Sequence, residues 1–270
     1  MNRGDSAAPI GVFDSGIGGL TVVRALMHQL PHESIIYFGD TARVPYGPKS
    51  PDTVLRYSRE IGAYLVDQGV KAVVVACNTA TAHGLGALRE ELPLPVVGVV
   101  EPGARAAVAA SRGHALGVIG TTGTIASCAY DRAIRALLPA SRVVTRACPL
   151  FVPLVEEGWT QGEVARLVAH EYLDPMRDEG IDALVLGCTH YPLLKPLLSE
   201  IVGEQVRLID SAEETASETA RLLEALALRA APDATPAYRF VASDAPEQFL
   251  RLGQRFLGES IDRVETLTLG

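Results

Sequence analysis

The chain has 270 residues and a formal net charge of −8, with 48% hydrophobic and 21% charged residues. That length is too great for one small core and suits two α/β domains. The acidic balance excludes a basic nucleic-acid-binding face, and no apolar run approaches the ~18 residues that span a bilayer.

The first ten residues, MNRGDSAAPI, read as a short polar tail without the apolar centre of a signal segment. The expectation is therefore a cytoplasmic protein with reduced thiols. Residues 10–13 read as a buried strand, followed by the turn DSGIGG and a helix in which Leu20, Val23, Met27 and Leu30 recur at helical spacing. Residues 34–38 form a second strand, which ends in the Pro- and Gly-rich loop GDTARVPYGPKS. A helix is predicted over 52–67, a Val-rich strand over 72–76 ending at Cys77, and a strand over 96–100 ending at Glu101 and Pro102. The pattern then restarts. A strand over 115–120 leads through TTGT to a helix over about 125–138. A strand over 142–147 leads into CPLFVPLVEEG, and a helix spans 163–176. Strands over 183–187 and 206–209 end at Cys188 and Asp210, and a helix runs from about 212 to 229. Residues 230–236 read as a linker. YRFVASD and VETLTLG are two further strand candidates around a helix near 246–257.

Alternating strands and helices predict an α/β protein: two similar doubly wound domains with mostly parallel sheets and the active site in the cleft between them. IGVFDSG, from residue 10, has the shape of LGVIGTTG, from residue 116. AVVVACNT, around Cys77, has the shape of ALVLGCTH, around Cys188. One such pair is weak evidence, but a cysteine at the same place in both halves is harder to ascribe to chance. The expected division is residues 1–100 plus 212–270 for the first domain and 101–211 for the second.

Ligands of open parallel sheets bind beyond the carboxyl ends of the strands, where Cys77 and Cys188 both fall. Residues after each cysteine can start a helix, whose N–H groups and dipole would lower a thiol pKa from ~8.5 toward ~3.5–7.5. A lone cysteine after a Val run is ordinarily a small core residue. Here polar Asn78-Thr79 and Thr189-His190 follow, which points to a polar pocket. Two thiols facing each other across a cleft could take a proton from one face of a carbon and return it to the other. Cys128, in a predicted helix, and Cys148 lack this context and read as structural.

The strings GVFDSGIGGLTV, YFGDTARVPYG, VVACNTATA, GVVEPG, GVIGTTGT, CPLFVPLVEEG, LVLGCTHYPLL and LIDSAEETA, in this order over residues 10–215, resemble those of glutamate racemases. These are cofactor-independent members of the aspartate/glutamate racemase superfamily. The resemblance implies that Cys77 acts on D-glutamate and Cys188 on L-glutamate. Asp14 and His190 assist them, as does a Glu of VEEG, Glu156 in preference to Glu157. It also implies substrate contacts from Asp14-Ser15, Tyr46-Gly47, Asn78-Thr79 and Thr189-His190, with Thr121 as a further carboxylate contact. D-glutamate for bacterial peptidoglycan, a small-molecule substrate and a homodimer are implied as well.

The residue chemistry agrees. Asn78, Thr79, Thr121 and Thr189 supply donors for two carboxylates, and Asp14 an anionic partner for an ammonium group. Asp14 or Ser15 could equally be a helix N-cap, and His190 a satisfied surface histidine. SGIGGL fails the dinucleotide pattern, because Thr21 stands where the third Gly belongs. None of Lys49, Lys71 and Lys195 lies in a motif suited to pyridoxal phosphate, and the six His and four Cys show no metal-ligand clustering. No cofactor and no metal are expected. An aspartate racemase, a cysteine-dependent decarboxylase and a non-catalytic regulator on the same fold stay open. One methylene shifts binding by only ~1–3 kcal/mol.

Overall fold

The computed structural model describes residues 5–113 and 115–269. Residues 1–4 of the expected polar tail, and Gly270 of the last strand candidate, lie outside the described residues.

Two wholly parallel sheets form the framework. The first half supplies β1 (Ile10–Asp14), α1 (Leu20–Gln29), β2 (Ile35–Gly39), α2 (Pro51–Asp67), β3 (Ala72–Val75), α3 (Asn78–Glu91) and β4 (Val96–Gly98). After α4 (Val100–Ala110), the second half supplies β5 (Ala115–Gly120), α5 (Thr122–Ala126), α6 (Ala129–Leu137), β6 (Arg142–Ala147), α7 (Phe151–Glu156), α8 (Glu163–Asp178), β7 (Ala183–Gly187), α9 (Lys195–Val202) and β8 (Arg207–Asp210). A 3-10 turn, Tyr191–Leu194, precedes α9. The chain closes with α10 (Ser211–Ala225), β9 (Tyr238–Ala242), α11 (Pro246–Leu257) and β10 (Glu265–Thr266). The first sheet has the order β10-β9-β2-β1-β3-β4, and the second β6-β5-β7-β8. The last two strands therefore extend the first sheet, where β9 pairs with β2 from Ile35 against Tyr238 to Gly39 against Ala242.

The strands at the centre of each sheet are buried on both faces, so they read as unbroken apolar runs rather than alternating ones. One face of the first sheet packs α2 and α3 through Val54, Ile61, Leu65 and Leu88. α4 and α6 cover one face of the second through Ala104, Ala107 and Ile134. The largest core runs from α1 and α11 past the other sheet faces to α8 and α9, and it includes Cys188. Helix starts follow local chemistry. Ser50 accepts the Thr53 N–H at 3.3 Å, with Pro51 in the first turn of α2.

Two expectations about the elements need correction. The strand expected over 96–100 stops at Gly98, because Val100 already opens α4, with Pro102 tolerated in its first turn. The helix expected over 125–138 is two helices, broken at Cys128, whose φ of 54° is left-handed. Cys128 is accordingly an exposed junction residue, whereas Cys148 is buried. The run CPLFVPLVEEG contains α7.

Candidate active site

Parallel strands deliver their carboxyl ends to one edge of each sheet. β1 ends on Asp14, and β3 runs into Ala76 and Cys77. β5 runs into Thr121, and β7 into Cys188. Cys77 has extended backbone and caps α3, its sulfur accepting the Ala80 N–H at 3.4 Å. Ser15 Oγ lies 3.7 Å from the same sulfur. Across the cavity, Cys188 Sγ lies 3.9 Å from His190 Nδ1, and His190 Nε2 lies 3.0 Å from Glu156 Oε1. The His190 and Phe256 rings meet in a T-shaped arrangement, with centroids 5.1 Å apart.

Both thiols open onto one cavity of about 30 Å3, which Ser15, Tyr46, Gly47, Asn78, Thr79, Thr121, Thr189 and His190 also line. Asp14 lies fully buried behind it; Oδ2 accepts the Gly16 N–H at 3.0 Å, and Oδ1 has no partner. Glu156 stands behind His190, while Glu157 turns to an exposed apolar surface beside Trp159 and Val164. The expected residues thus come together. Tyr46 differs from a simple substrate contact, because its hydroxyl donates to Asp40. The residue lines the cavity with its hydroxyl committed to Asp40.

Val44, Pro45 and Val152 complete the lining. Sequence reasoning missed them, along with Thr21, Gly123, Thr124 and Tyr130, which bond across the two halves to residues it did name. Thr79 Oγ1 lies 2.8 Å from Thr121 Oγ1 and 3.2 Å from Thr124 Oγ1. The Gly123 N–H donates to the Gly47 carbonyl at 2.9 Å. Thr21 donates to the Thr189 carbonyl at 3.1 Å, and Tyr130 to Asn78 Oδ1 at 2.7 Å. Thr124 had a legible signal, its place three residues after Thr121 at a helix start; Tyr130 had none.

Electrostatics overturn one expectation. Burial pushes the Cys77 thiol up to about 12, and the Asp14 charge pushes the same way; the Ala80 N–H and Ser15 offset only part of this. Helix capping, taken alone, predicted the opposite direction. Burial also raises Asp14, against the pull of His190 and of backbone N–H groups. At His190, burial opposes the charged ring, but hydrogen bonds and charge from Cys188 and Glu156 outweigh it and hold the imidazole at about 10. Lys71 and Lys195 are engaged in ion pairs with Glu33 and Asp210. Among the described residues, no group of three or more His, Cys, Asp or Glu could hold a metal ion, and no helix is long and apolar enough to cross a membrane. A larger groove of about 490 Å3, between α3, α4 and α6, contains neither thiol and none of these acid–base groups.

A polar cavity between two like sheets, with a buried thiol from each, has the layout of an amino-acid racemase. The chain belongs to the Asp/Glu/hydantoin racemase family, whose family model matches residues 19–219. It is 55% identical over 260 residues to the glutamate racemase of Geobacter metallireducens, covering 96% of each chain. Among solved structures, it resembles a glutamate racemase isoform of Bacillus anthracis, with a TM-score of 0.93 and 42% identity over 97% of this chain and 98% of that one. It also resembles the glutamate racemase of Francisella tularensis in complex with D-glutamate, with a TM-score of 0.91 and 40% identity over 97% and 98% of the two chains.

Proposed function

We propose that this chain interconverts L- and D-glutamate without a cofactor, through proton transfer by Cys77 and Cys188. The observation that carries the reading is the shared cavity, into which each half places one cysteine from the end of a matched strand.

The Cys188 thiolate, beside the charged His190, takes the Cα proton of L-glutamate. The electron pair left on Cα spreads into the α-carboxylate. The Cys77 thiol, kept protonated by burial, gives its proton to the opposite face. D-glutamate results, with Cys188 now a thiol and Cys77 a thiolate. The reverse direction starts from the state the forward one leaves: the Cys77 thiolate takes the Cα proton of D-glutamate and the Cys188 thiol returns one to the other face, with Asp14, whose charge acts on Cys77, assisting there. Glu156 sustains the charge on His190. Ser15, Asn78, Thr79, Thr121 and Thr189, with the backbone at Tyr46-Gly47, supply hydrogen bonds to the two carboxylates, and Asp14 balances the ammonium group. A cavity of about 30 Å3 holds roughly two waters. The halves therefore part to admit glutamate and close over it.

The reading extends to the cell. The product is D-glutamate for bacterial peptidoglycan and cell shape, made in the cytoplasm by a homodimer. Exposed Leu150, Trp159 and Val164, which border one apolar groove, favour self-association, being a surface of the kind a second copy covers. The proposed domains are 1–100 plus 212–270 and 101–211, which the pairing of β9 with β2 supports.

The test is circular dichroism of L- and of D-glutamate with purified protein, dialysed against chelator and given no pyridoxal phosphate. Both signals should decay to zero. Activity only after adding pyridoxal phosphate or a metal overturns the mechanism, and activity only on aspartate overturns the substrate.

A further inference from the structure

Asn78 faces the cavity from the start of α3, and its Nδ2 is buried without a hydrogen-bond partner. A buried amide donor left unpaired is costly, and in a polar cavity it marks the place of an acceptor that arrives with the ligand. The other end of the same amide accounts for the direction of the nitrogen. The Tyr130 hydroxyl donates to Asn78 Oδ1 at 2.7 Å.

Tyr130 comes from the other half. It lies buried on α6, in the cluster that contains Val118, Ile134 and Val185. Its ring fills the space left by two glycines, since a Cβ on Gly103 or Gly187 would stand 3.3 or 3.1 Å from it. The phenol proton is thus committed to Oδ1. Flipping the Asn78 amide would turn Oδ1 toward the cavity and take from that proton the acceptor it has.

We propose that Tyr130 is a positioning residue, which locks the Asn78 amide across the cleft so that Nδ2 donates to a carboxylate of the substrate. The inference rests on the dicarboxylate reading above. Because the bond joins α6 to α3, the donor is aimed only while the two halves are closed. Recognition of the carboxylate is thereby tied to closure of the cleft.

A double-mutant cycle on the full-length enzyme, read as KM and kcat with each enantiomer, tests this. Tyr130→Phe keeps the ring and removes the donor; KM should rise roughly 5- to 10-fold, with kcat changing less. Asn78→Ala should raise KM at least as much. In the Asn78→Ala background, Tyr130→Phe should then change KM by less than about twofold, because it acts only through the amide. Asn78→Asp covers the case in which the phenylalanine variant does not fold: its carboxylate still accepts from the phenol but offers no N–H, so KM should rise as in Asn78→Ala. A wild-type KM in Tyr130→Phe or in Asn78→Asp, or an effect of Tyr130→Phe that persists in full without Asn78, overturns the role. Wild-type protein inactive on glutamate sinks the functional reading instead, so the two failures are distinct.

Discussion

Glu156 reaches from the end of α7 to His190, with 3.0 Å between Oε1 and Nε2, while the other ring nitrogen faces Cys188 at 3.9 Å. The carboxylate is thus the far end of a chain that terminates on a thiol. Glu156→Gln keeps the shape and removes the charge. A hydrogen bond to a charged group is worth ~1.5–3 kcal/mol, so kcat/KM with L-glutamate should fall roughly 10- to 100-fold. Glu157→Gln should leave it unchanged. Steady-state kinetics of both variants decide; equal losses, or none in Glu156→Gln, would sink the chain.

The pH dependence follows from the same group. His190 is held at about 10, above its ordinary 6.5. Conversion of L-glutamate should therefore persist through the neutral range and decline as pH passes about 10, where the ring loses its proton. Glu156→Gln should move that decline to lower pH. Stability has the same sign. The raised value makes the contribution of His190 full below 6.5 and lost as pH rises through about 10. His190→Gln should cost more stability at pH 6 than at pH 10, read from urea midpoints.

Much of this was legible because strand ends are legible. Cys77 and Cys188 close apolar runs, and their polar followers mark a pocket. Glu156 and Glu157 are a different matter. Neighbours on a helix point about 100° apart, so only the docking of α7 shows which one meets His190. Cys128 could not be read as a break, since no Gly or Asn in the sequence announces its left-handed backbone. Tyr130 was invisible because its partner, Asn78, lies in the other half. The direction of the Cys77 thiol was misread because the helix start was weighed and burial was not; that requires knowing that Asp14 and Tyr37 lie beneath it.

Gly18 has a reason unconnected with nucleotides. A Cβ there would stand 2.3 Å from Thr189 Oγ1 and 2.5 Å from His190 Nδ1. The turn after β1 is bare so that the second half can approach. Gly18→Ala should displace both side chains and lower kcat/KM about 100-fold, as misplacement near 1 Å can. The cost in stability should be only about 1–3 kcal/mol. Kinetics and thermal melts on one preparation separate the two effects; wild-type activity would show that the contact does not matter.

Lys71 and Glu33 form an ion pair with side chains 0% and 2% exposed. Lys71 also donates to the Ser6 carbonyl at 2.6 Å, and Glu33 accepts the Ala230 N–H at 2.8 Å, which pins the linker before β9. Lys71→Met leaves Glu33 charged and buried, and should cost about 3–5 kcal/mol. Adding Glu33→Gln should recover much of this. Activity per folded molecule should not change, since neither group borders the cavity. A loss under about 1 kcal/mol in urea titration would contradict the burial argument.

The two thiols should fail in different steps when replaced. Inversion needs an acceptor on one face and a donor on the other, so Cys77→Ser and Cys188→Ser should each abolish racemisation. A serine hydroxyl is a far weaker acid and base than a thiol near neutrality, and each general acid–base contribution is worth ~10²–10⁴-fold. The fold should persist in both, because Ser is close to Cys in size and both positions border a polar cavity. A half-reaction exposes the asymmetry. A glutamate analogue with a leaving group on Cβ can lose its Cα proton to the remaining cysteine and expel that group, forming a Cα–Cβ double bond with no reprotonation. Cys188→Ser should then consume only the D-analogue through Cys77, and Cys77→Ser only the L-analogue through Cys188. Cys77 starts as a buried thiol at about 12, so its elimination should be the slower at neutral pH and should accelerate as pH rises. The measurement is the elimination rate of each enantiomer with each variant across pH. Near-wild-type racemisation in either variant, or both variants consuming the same enantiomer, would contradict the assignment of one cysteine to each face.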